Sequence, residues 1–198
     1  FMGRGTTPIQ SALMRRRPHG NDINPLSVLL TRPRLRAPSL LDIARRLETV
    51  PWDATPAESD DDLLAFYHPD TLRQLLVLKA WLLERAPLDN SSPDPVDDWI
   101  RMVAINRLSG HSPGFFSGRS MPPNQAVSIK AQLKINEKLG VSPPARNVAK
   151  IIIKKSKSLL SDGYPPKGDN PILSAGLADS TPEIPSGSVS LTITSPPF

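Results

Sequence analysis

Residues 1–14, FMGRGTTPIQSALM, place two glycines ahead of a segment with helical character. Gly3 and Gly5 give this turn a backbone freedom that other residues lack. Residues 21–30, NDINPLSVLL, then indicate the end of a strand followed by a second helix that starts near Pro25. A glycine turn, a helix, a strand end and a further helix in this order predict an α/β fold.

The long middle of the chain has a different pattern. Between about 38 and 162 apolar residues recur at three- and four-residue spacing, which is typical of amphipathic helices. Prolines interrupt this pattern repeatedly, and the 23 prolines are spread along the whole chain. Helices are predicted to begin at a Ser39 cap, after His68-Pro69-Asp70 and near Pro95, and to cover about 124–138 and 145–160.

The end of the sequence returns to an α/β pattern. Residues 188–194, SVSLTIT, alternate small polar and aliphatic side chains, which predicts a strand. The strand leads into a tetrapeptide whose two prolines remove two N–H donors and fix the backbone. Its carbonyl oxygens are then available as acceptors beside an aromatic ring, an arrangement that suits a planar group bearing an amine. The tetrapeptide is Ser195, Pro196, Pro197 and Phe198.

The glycine turn and the strand end after it also form a candidate ligand site. Gly3 and Gly5 allow backbone N–H groups to approach a nucleotide-like ligand closely, although such turns also serve as plain connectors. Asp22 stands where a Rossmann-like fold places a carboxylate on ribose hydroxyls. The alternative for Asp22 is an exposed residue in a turn.

Composition excludes several classes of chemistry. The chain has no cysteine, so it has neither disulfides nor a thiol nucleophile, and no metal site is predicted. No apolar run approaches the roughly 18 residues of a membrane span, and the start lacks the pattern of a secretory signal. We therefore expect a cytoplasmic protein with no membrane partner.

Charge is distributed unevenly along the chain. Residues 99–161 hold eleven Lys and Arg against Glu137 as the one acidic residue, whereas residues 42–98 hold thirteen Asp and Glu against five basic residues. A segregated basic segment suits a polyanion such as DNA, although it also suits an ordinary solvated face. The candidate phosphate contacts are Lys130, Lys134, Lys138, Arg146, Lys150, Lys154, Lys155 and Lys157, and Asn124 or Gln125 could read an adenine edge.

Three stretches together resemble one protein family. FMGRGTT resembles the Phe-x-Gly-x-Gly-Thr-Thr motif of the amino-group DNA methyltransferases, and GNDINP resembles their Gly-x-Glu-x-Asn-Pro motif. TSPPF is similar to their catalytic Ser/Asp/Asn-Pro-Pro-Tyr/Phe tetrapeptide. The resemblance implies a partial Rossmann-like methyltransferase sheet with a large, mainly helical insertion. The core would comprise residues 1–36 and 169–198, and the insertion residues 37–168 would engage DNA.

The resemblance also implies roles for individual residues. S-adenosylmethionine would be the cofactor, with Asp22 on its ribose and Asp179 beside its adenine. The target base would be flipped out of the duplex, its amine held by Ser195 Oγ and the Pro196 carbonyl while Phe198 stacks on the ring. The implied cofactor contacts are Phe1, Gly3, Gly5, Thr6, Thr7, Asp22, Asn24 and Asp179.

The missing cysteine and the serine of the tetrapeptide narrow the expected reaction. Methylation at carbon 5 of cytosine needs a thiolate, so transfer to an exocyclic amine is expected. Serine in the first place favours cytosine-N4 over adenine-N6. Because the resemblance covers only the two ends, the chain is predicted to be a fragment that is inactive alone. The alternative is a non-enzymatic helical module that binds nucleic acid.

Overall fold

The computed structural model divides the chain into two compact units. One comprises Phe1–Pro38 with Asp162–Phe198, and the other comprises Ser39–Ser161. We call the first the α/β unit and the second the helical unit. The structure describes residues 1–58, 60–90, 92–110, 112–118, 127–163 and 171–194.

The α/β unit contains a two-stranded parallel sheet. Strand β1, His19–Asp22, pairs with β2, Ile172–Ala175, so that His19 lies opposite Ile172 and Asp22 lies opposite Ala175. Helix α1, Thr6–Leu13, follows the glycine turn, and α2, Pro25–Leu35, follows β1. The mixed α/β character predicted for this part of the chain is confirmed, as a small parallel sheet with helices.

The strand predicted over residues 188–194 is wrong. This segment has no regular secondary structure, and the side chains of Val189, Leu191 and Ile193 are exposed. Alternation of apolar and polar residues stabilises a strand only where a neighbouring strand supplies hydrogen bonds and one face is covered. Among the described residues nothing pairs with this segment, so the pattern alone does not form a strand.

The described residues of the helical unit form six helical elements. Ser39 accepts a hydrogen bond from the Asp42 N–H, so the predicted cap of this helix is confirmed. His68 accepts one from the Asp70 N–H, and the helix predicted to begin after His68-Pro69-Asp70 begins within that segment, at Pro69. Pro95 is the first residue of its helix, as predicted. The elements are α3, Leu40–Glu48; a 3-10 helix, Asp61–Ala65; α4, Pro69–Arg85; α5, Pro95–Ile105; α6, Ile129–Leu139; and α7, Val148–Leu159.

Apolar side chains from these helices form the core of the helical unit. Ile43, Leu78, Ile100 and Ile152 are almost completely buried. Trp99 is also buried, and its indole N–H donates to the Ser156 hydroxyl at 2.9 Å. Among the described residues, no helix has the length and hydropathy needed to cross a membrane.

A buried carboxylate connects three helices of this unit. Asp97, on α5, is 1% exposed and pairs with Arg46 of α3 and, at 3.2 Å, with Arg85 of α4. Arg46 also pairs with Asp94, at 3.2 Å. Removing one member of a buried ion pair leaves the other charges without compensation.

Replacing Asp97 should therefore destabilise the helical unit. We expect Asp97→Asn to lower the free energy of unfolding by about 2–4 kcal/mol, because two arginines lose their buried partner. Urea unfolding followed by circular dichroism measures this change. Asp62→Asn, at an exposed carboxylate, should change the free energy by less than about 0.5 kcal/mol, and equal effects of the two variants would contradict the prediction.

Candidate functional site

The carboxylate of Asp22 lies at the end of β1 and holds the glycine turn. Its Oδ2 accepts hydrogen bonds from the backbone N–H groups of Met2, at 2.6 Å, and Gly3, at 2.7 Å. Its Oδ1 accepts from the Asn24 N–H at 2.9 Å, and the Ser27 hydroxyl also donates to this carboxylate. A carboxylate offers about four acceptor positions, so the chain itself fills those of Asp22.

These hydrogen bonds change the acidity of Asp22. Burial raises the pKa of this carboxyl group, but the N–H groups of Asn24, Gly3 and Met2 and the Ser27 hydroxyl lower it by more. The pKa of Asp22 therefore lies below its ordinary value. Asp22 is ionised at neutral pH, and its charge holds the turn against the end of the strand.

The two glycines of the turn have different surroundings. Both have positive φ, +55° at Gly3 and +84° at Gly5, a conformation that favours glycine. A Cβ on Gly5 would overlap the buried side chain of Thr31 on α2, whereas no heavy atom lies within 4 Å of a Cβ on Gly3. Gly5 thus permits close packing of the turn on α2, and the space beside the Gly3 Cα is open. The N–H groups of Gly3 and Gly5 already donate within the protein, to Asp22 Oδ2 and to the Met2 carbonyl.

The other predicted cofactor residues of the turn lie on the surface. Phe1 is 51% exposed, and its nitrogen donates to the Asn21 carbonyl at 3.0 Å. Thr6 and Thr7 are exposed in the first turn of α1, where a ligand at the glycine turn could reach them.

Asn24 has a structural role at the start of α2. Its side-chain oxygen accepts the Leu26 N–H at 3.0 Å, which makes it the N-cap of this helix. Asn24 is exposed, so its side-chain NH₂ group is not enclosed by the protein.

Ser27 was not predicted to contact Asp22. A serine in the first turn of a helix gives no sign in the sequence of the carboxylate that it contacts.

The chain after β2 lies at the same edge of the sheet. The Gly176 N–H donates to the Asp22 carbonyl at 3.0 Å, and the Asn21 side chain donates to the Leu177 carbonyl at 2.9 Å. Asp179 follows in an exposed turn. The glycine turn, Asp22 and the loop after β2 therefore meet where parallel strands end, the edge at which open α/β sheets bind ligands.

The predicted DNA-binding lysines lie on two separate helices of the helical unit. Lys150, Lys154 and Lys157 are exposed and spaced to form one stripe along α7, with Lys155 partly buried beside it. Lys130 and Lys134 are exposed on α6. Helix α6 packs on the 3-10 helix, whereas α7 packs on α3, α4 and α5, so the two groups have different structural supports.

Several predicted site residues lie outside the described residues. They are the tetrapeptide Ser195, Pro196, Pro197 and Phe198 and the candidate base contacts Asn124 and Gln125. The predictions for them remain predictions.

Comparison with protein-family models, with curated proteins and with solved structures finds no match to this chain. The geometry of the α/β unit and of the helical unit therefore carries the functional argument.

Side chains at the two glycines should have unequal effects. We expect Gly5→Ala to destabilise the α/β unit by about 2–4 kcal/mol, since the methyl group meets Thr31 and φ is positive. Gly3→Ala meets open space and should cost only about 1 kcal/mol of conformational strain. Amide hydrogen exchange in α1 and β1 would measure both, and a larger effect of Gly3→Ala would contradict this assignment.

The hydrogen bonds to Asp22 also predict a dependence on pH. Because the folded-state pKa is lowered, the stabilisation is complete above the unfolded pKa of about 4 and is lost as pH falls through the folded pKa. The stability difference between the unmodified protein and Asp22→Asn should thus shrink below about pH 4. Urea midpoints at several pH values test this; Glu183→Gln, at an exposed acid, should show no such change.

Proposed function

We propose that this protein is an S-adenosylmethionine-dependent DNA methyltransferase that transfers a methyl group to an exocyclic amine, with cytosine-N4 favoured over adenine-N6. The observation that carries the proposal is the glycine turn fixed by Asp22 at the carboxyl edge of two parallel strands. The proposal extends this small sheet to a Rossmann-like arrangement, in which the same edge binds a nucleotide cofactor.

The surroundings of the glycine turn support a cofactor site. The space beside the Gly3 Cα is open, and Asp22 adds a negative charge at the strand end. Ribose hydroxyls are donors that suit a carboxylate, but the acceptor positions of Asp22 are already occupied. The Ser27 hydroxyl can rotate away more readily than a backbone N–H, so we assign it as the donor that the ribose replaces.

The transfer step is assigned to the tetrapeptide. Ser195 Oγ and the Pro196 carbonyl accept hydrogen bonds from the amine of a flipped base, and Phe198 stacks on its ring. These contacts keep the lone pair of the nitrogen directed at the sulfonium methyl. S-adenosylmethionine would supply the methyl group, which would pass from sulfur to nitrogen with S-adenosylhomocysteine as the second product and a proton released from the nitrogen to solvent.

Cofactor binding tests this proposal directly. We expect calorimetry to show binding of S-adenosylmethionine, weakened at least about tenfold in Asp22→Asn because a charged acceptor is lost. Ser27→Ala should bind within about threefold of the unmodified protein, since ribose replaces that hydroxyl. Glu183→Gln is the matched control on an exposed acid.

Two outcomes would contradict the proposal. One is the absence of S-adenosylmethionine binding at millimolar concentration, and the other is unchanged binding in Asp22→Asn. Where transfer of a labelled methyl group to DNA is detected, Ser195→Ala should abolish it, and mapping of the modified base would separate cytosine-N4 from adenine-N6.

A second candidate function is that of a non-enzymatic module that binds nucleic acid. The observation in its favour is the stripe of exposed lysines on α7, a helix with no acidic residue in its first turn. Lysines in this arrangement can contact successive phosphates, which gives affinity without sequence information. The methyltransferase proposal also uses this stripe, so cofactor binding is what separates the two candidates.

The lysine stripe predicts the salt dependence of DNA binding. Replacing Lys150, Lys154 and Lys157 together by glutamine should reduce the slope of log affinity against log salt by about 2–3, because each phosphate contact releases counterions. The same change at Lys130, Lys134 and Lys138, where Glu137 lies nearby in sequence, should have a smaller effect. Fluorescence anisotropy with a labelled duplex measures both slopes. An unchanged slope in the α7 variant would contradict the assignment of these lysines to phosphate contacts.

A further inference from the structure

The helical unit contains a cavity of about 300 Å³ that the proposed function has not used. It is lined by the 3-10 helix and the residue after it, by α6, and by the segment that leads into α7. Its volume lies at the lower end of the range found for small-molecule sites. Two polar side chains in its lining, Gln132 and Arg146, define what it can bind.

The first group is the side-chain carbonyl of Gln132, and its orientation is fixed by a relay. The Asn136 side chain donates from Nδ2 to the Ala65 carbonyl at 2.8 Å, and a backbone carbonyl can only accept. Asn136 Oδ1 must then be the acceptor for Gln132 Nε2, which donates at 2.8 Å. Gln132 is 2% exposed and lines the cavity, and these two hydrogen bonds leave its Oε1 as the free end of the amide. The cavity therefore offers a carbonyl oxygen of fixed orientation as a hydrogen-bond acceptor.

The second group is the guanidinium of Arg146. Its Nε is buried without a hydrogen-bond partner, and Arg146 forms no ion pair with the described residues. Its backbone is held on α4, because the Thr71 hydroxyl accepts from its N–H at 2.8 Å and donates to its carbonyl at 3.2 Å. None of the described residues that line the cavity is acidic. An anionic group is the natural partner for this arginine.

Apolar rings also line the cavity. They belong to Phe66, Pro143 and Pro144. Gly118 packs directly against both prolines, so that a Cβ at this position would meet Pro144 at 2.8 Å. An aromatic ring and two proline rings favour a planar, weakly polar group.

We propose that this cavity binds a nucleoside monophosphate, free or as one unit of a DNA strand. The base lies between Phe66 and the prolines, an amino group of the base donates to Gln132 Oε1, and the phosphate pairs with Arg146. Other ligands also combine a hydrogen-bond donor with an anionic group. The choice of a nucleotide among them rests on the proposed function. Adenine, cytosine and guanine carry such an amino group, and thymine does not.

The test is calorimetry on the full chain without S-adenosylmethionine. The ligands are dAMP, dCMP, dTMP, deoxycytidine and inorganic phosphate, together with a fluorescent single-stranded octamer in anisotropy measurements. We expect dAMP and dCMP to bind more tightly than dTMP, deoxycytidine or phosphate. Tighter binding of the octamer than of any mononucleotide would identify a DNA strand as the source, and the reverse would identify a free nucleotide.

Variants separate the two polar contacts. Arg146→Gln should weaken dCMP binding by about tenfold or more, and Gln132→Met by about fivefold, because one loses a charge and the other a neutral acceptor. Arg45→Gln, at an exposed arginine on α3, should leave binding unchanged. Thermal unfolding checks the buried Gln132 variant. If Gln132→Met fails to fold, Arg146→Gln still tests the proposal, because the Arg146 side chain is partly exposed.

Three results would overturn the proposal. They are no nucleotide binding at millimolar concentration, equal binding of phosphate and dCMP, and tighter binding of an acetylated dipeptide with a free carboxylate. This cavity and the S-adenosylmethionine site belong to different units, so each can fail alone. Loss of cofactor binding with retained dCMP binding would contradict the proposed enzyme and leave the cavity assignment standing.

Discussion

The α/β unit depends on one charged interaction, in which the Asp22 carboxylate gathers backbone N–H groups from two parts of the chain. It connects the glycine turn to the end of β1 and to the start of α2. The two short strands among its described residues give little sheet area to stabilise it. Charge-assisted hydrogen bonds to a buried carboxylate are stronger than neutral ones. The position of the turn is therefore determined by Asp22 more than by the sheet.

Local signals in the sequence identified the helices of the helical unit well. Ser39 and His68 directly precede their helices, and their side chains accept hydrogen bonds from N–H groups of the first turn. Each helix start is therefore encoded within four residues. The strands were harder to predict. Strand β2, Ile172–Ala175, has neither length nor alternation, and it exists because β1 pairs with it from far away in the sequence. Residues 188–194 have the alternation but no partner among the described residues.

The candidate site likewise combines residues that the local sequence predicts with contacts that join distant parts of the chain. A strand end with an acidic residue is visible in the sequence, so Asp22 could be found. Its four donors, among them Ser27 and Met2, become visible only when the turn and α2 are brought together. The cavity in the helical unit had no sequence signal at all, because Gln132 and Asn136 are ordinary residues of an amphipathic helix until a backbone carbonyl fixes them.

That backbone carbonyl, at Ala65, has a consequence for how the cavity could change over evolution. The direction of both amides is determined by a main-chain oxygen. Any amino acid at position 65 would retain this oxygen, whatever its side chain. Substitutions around the cavity can thus alter its size and walls while Gln132 Oε1 remains an acceptor. Reversing the direction of this amide requires a change at Gln132 or Asn136 themselves.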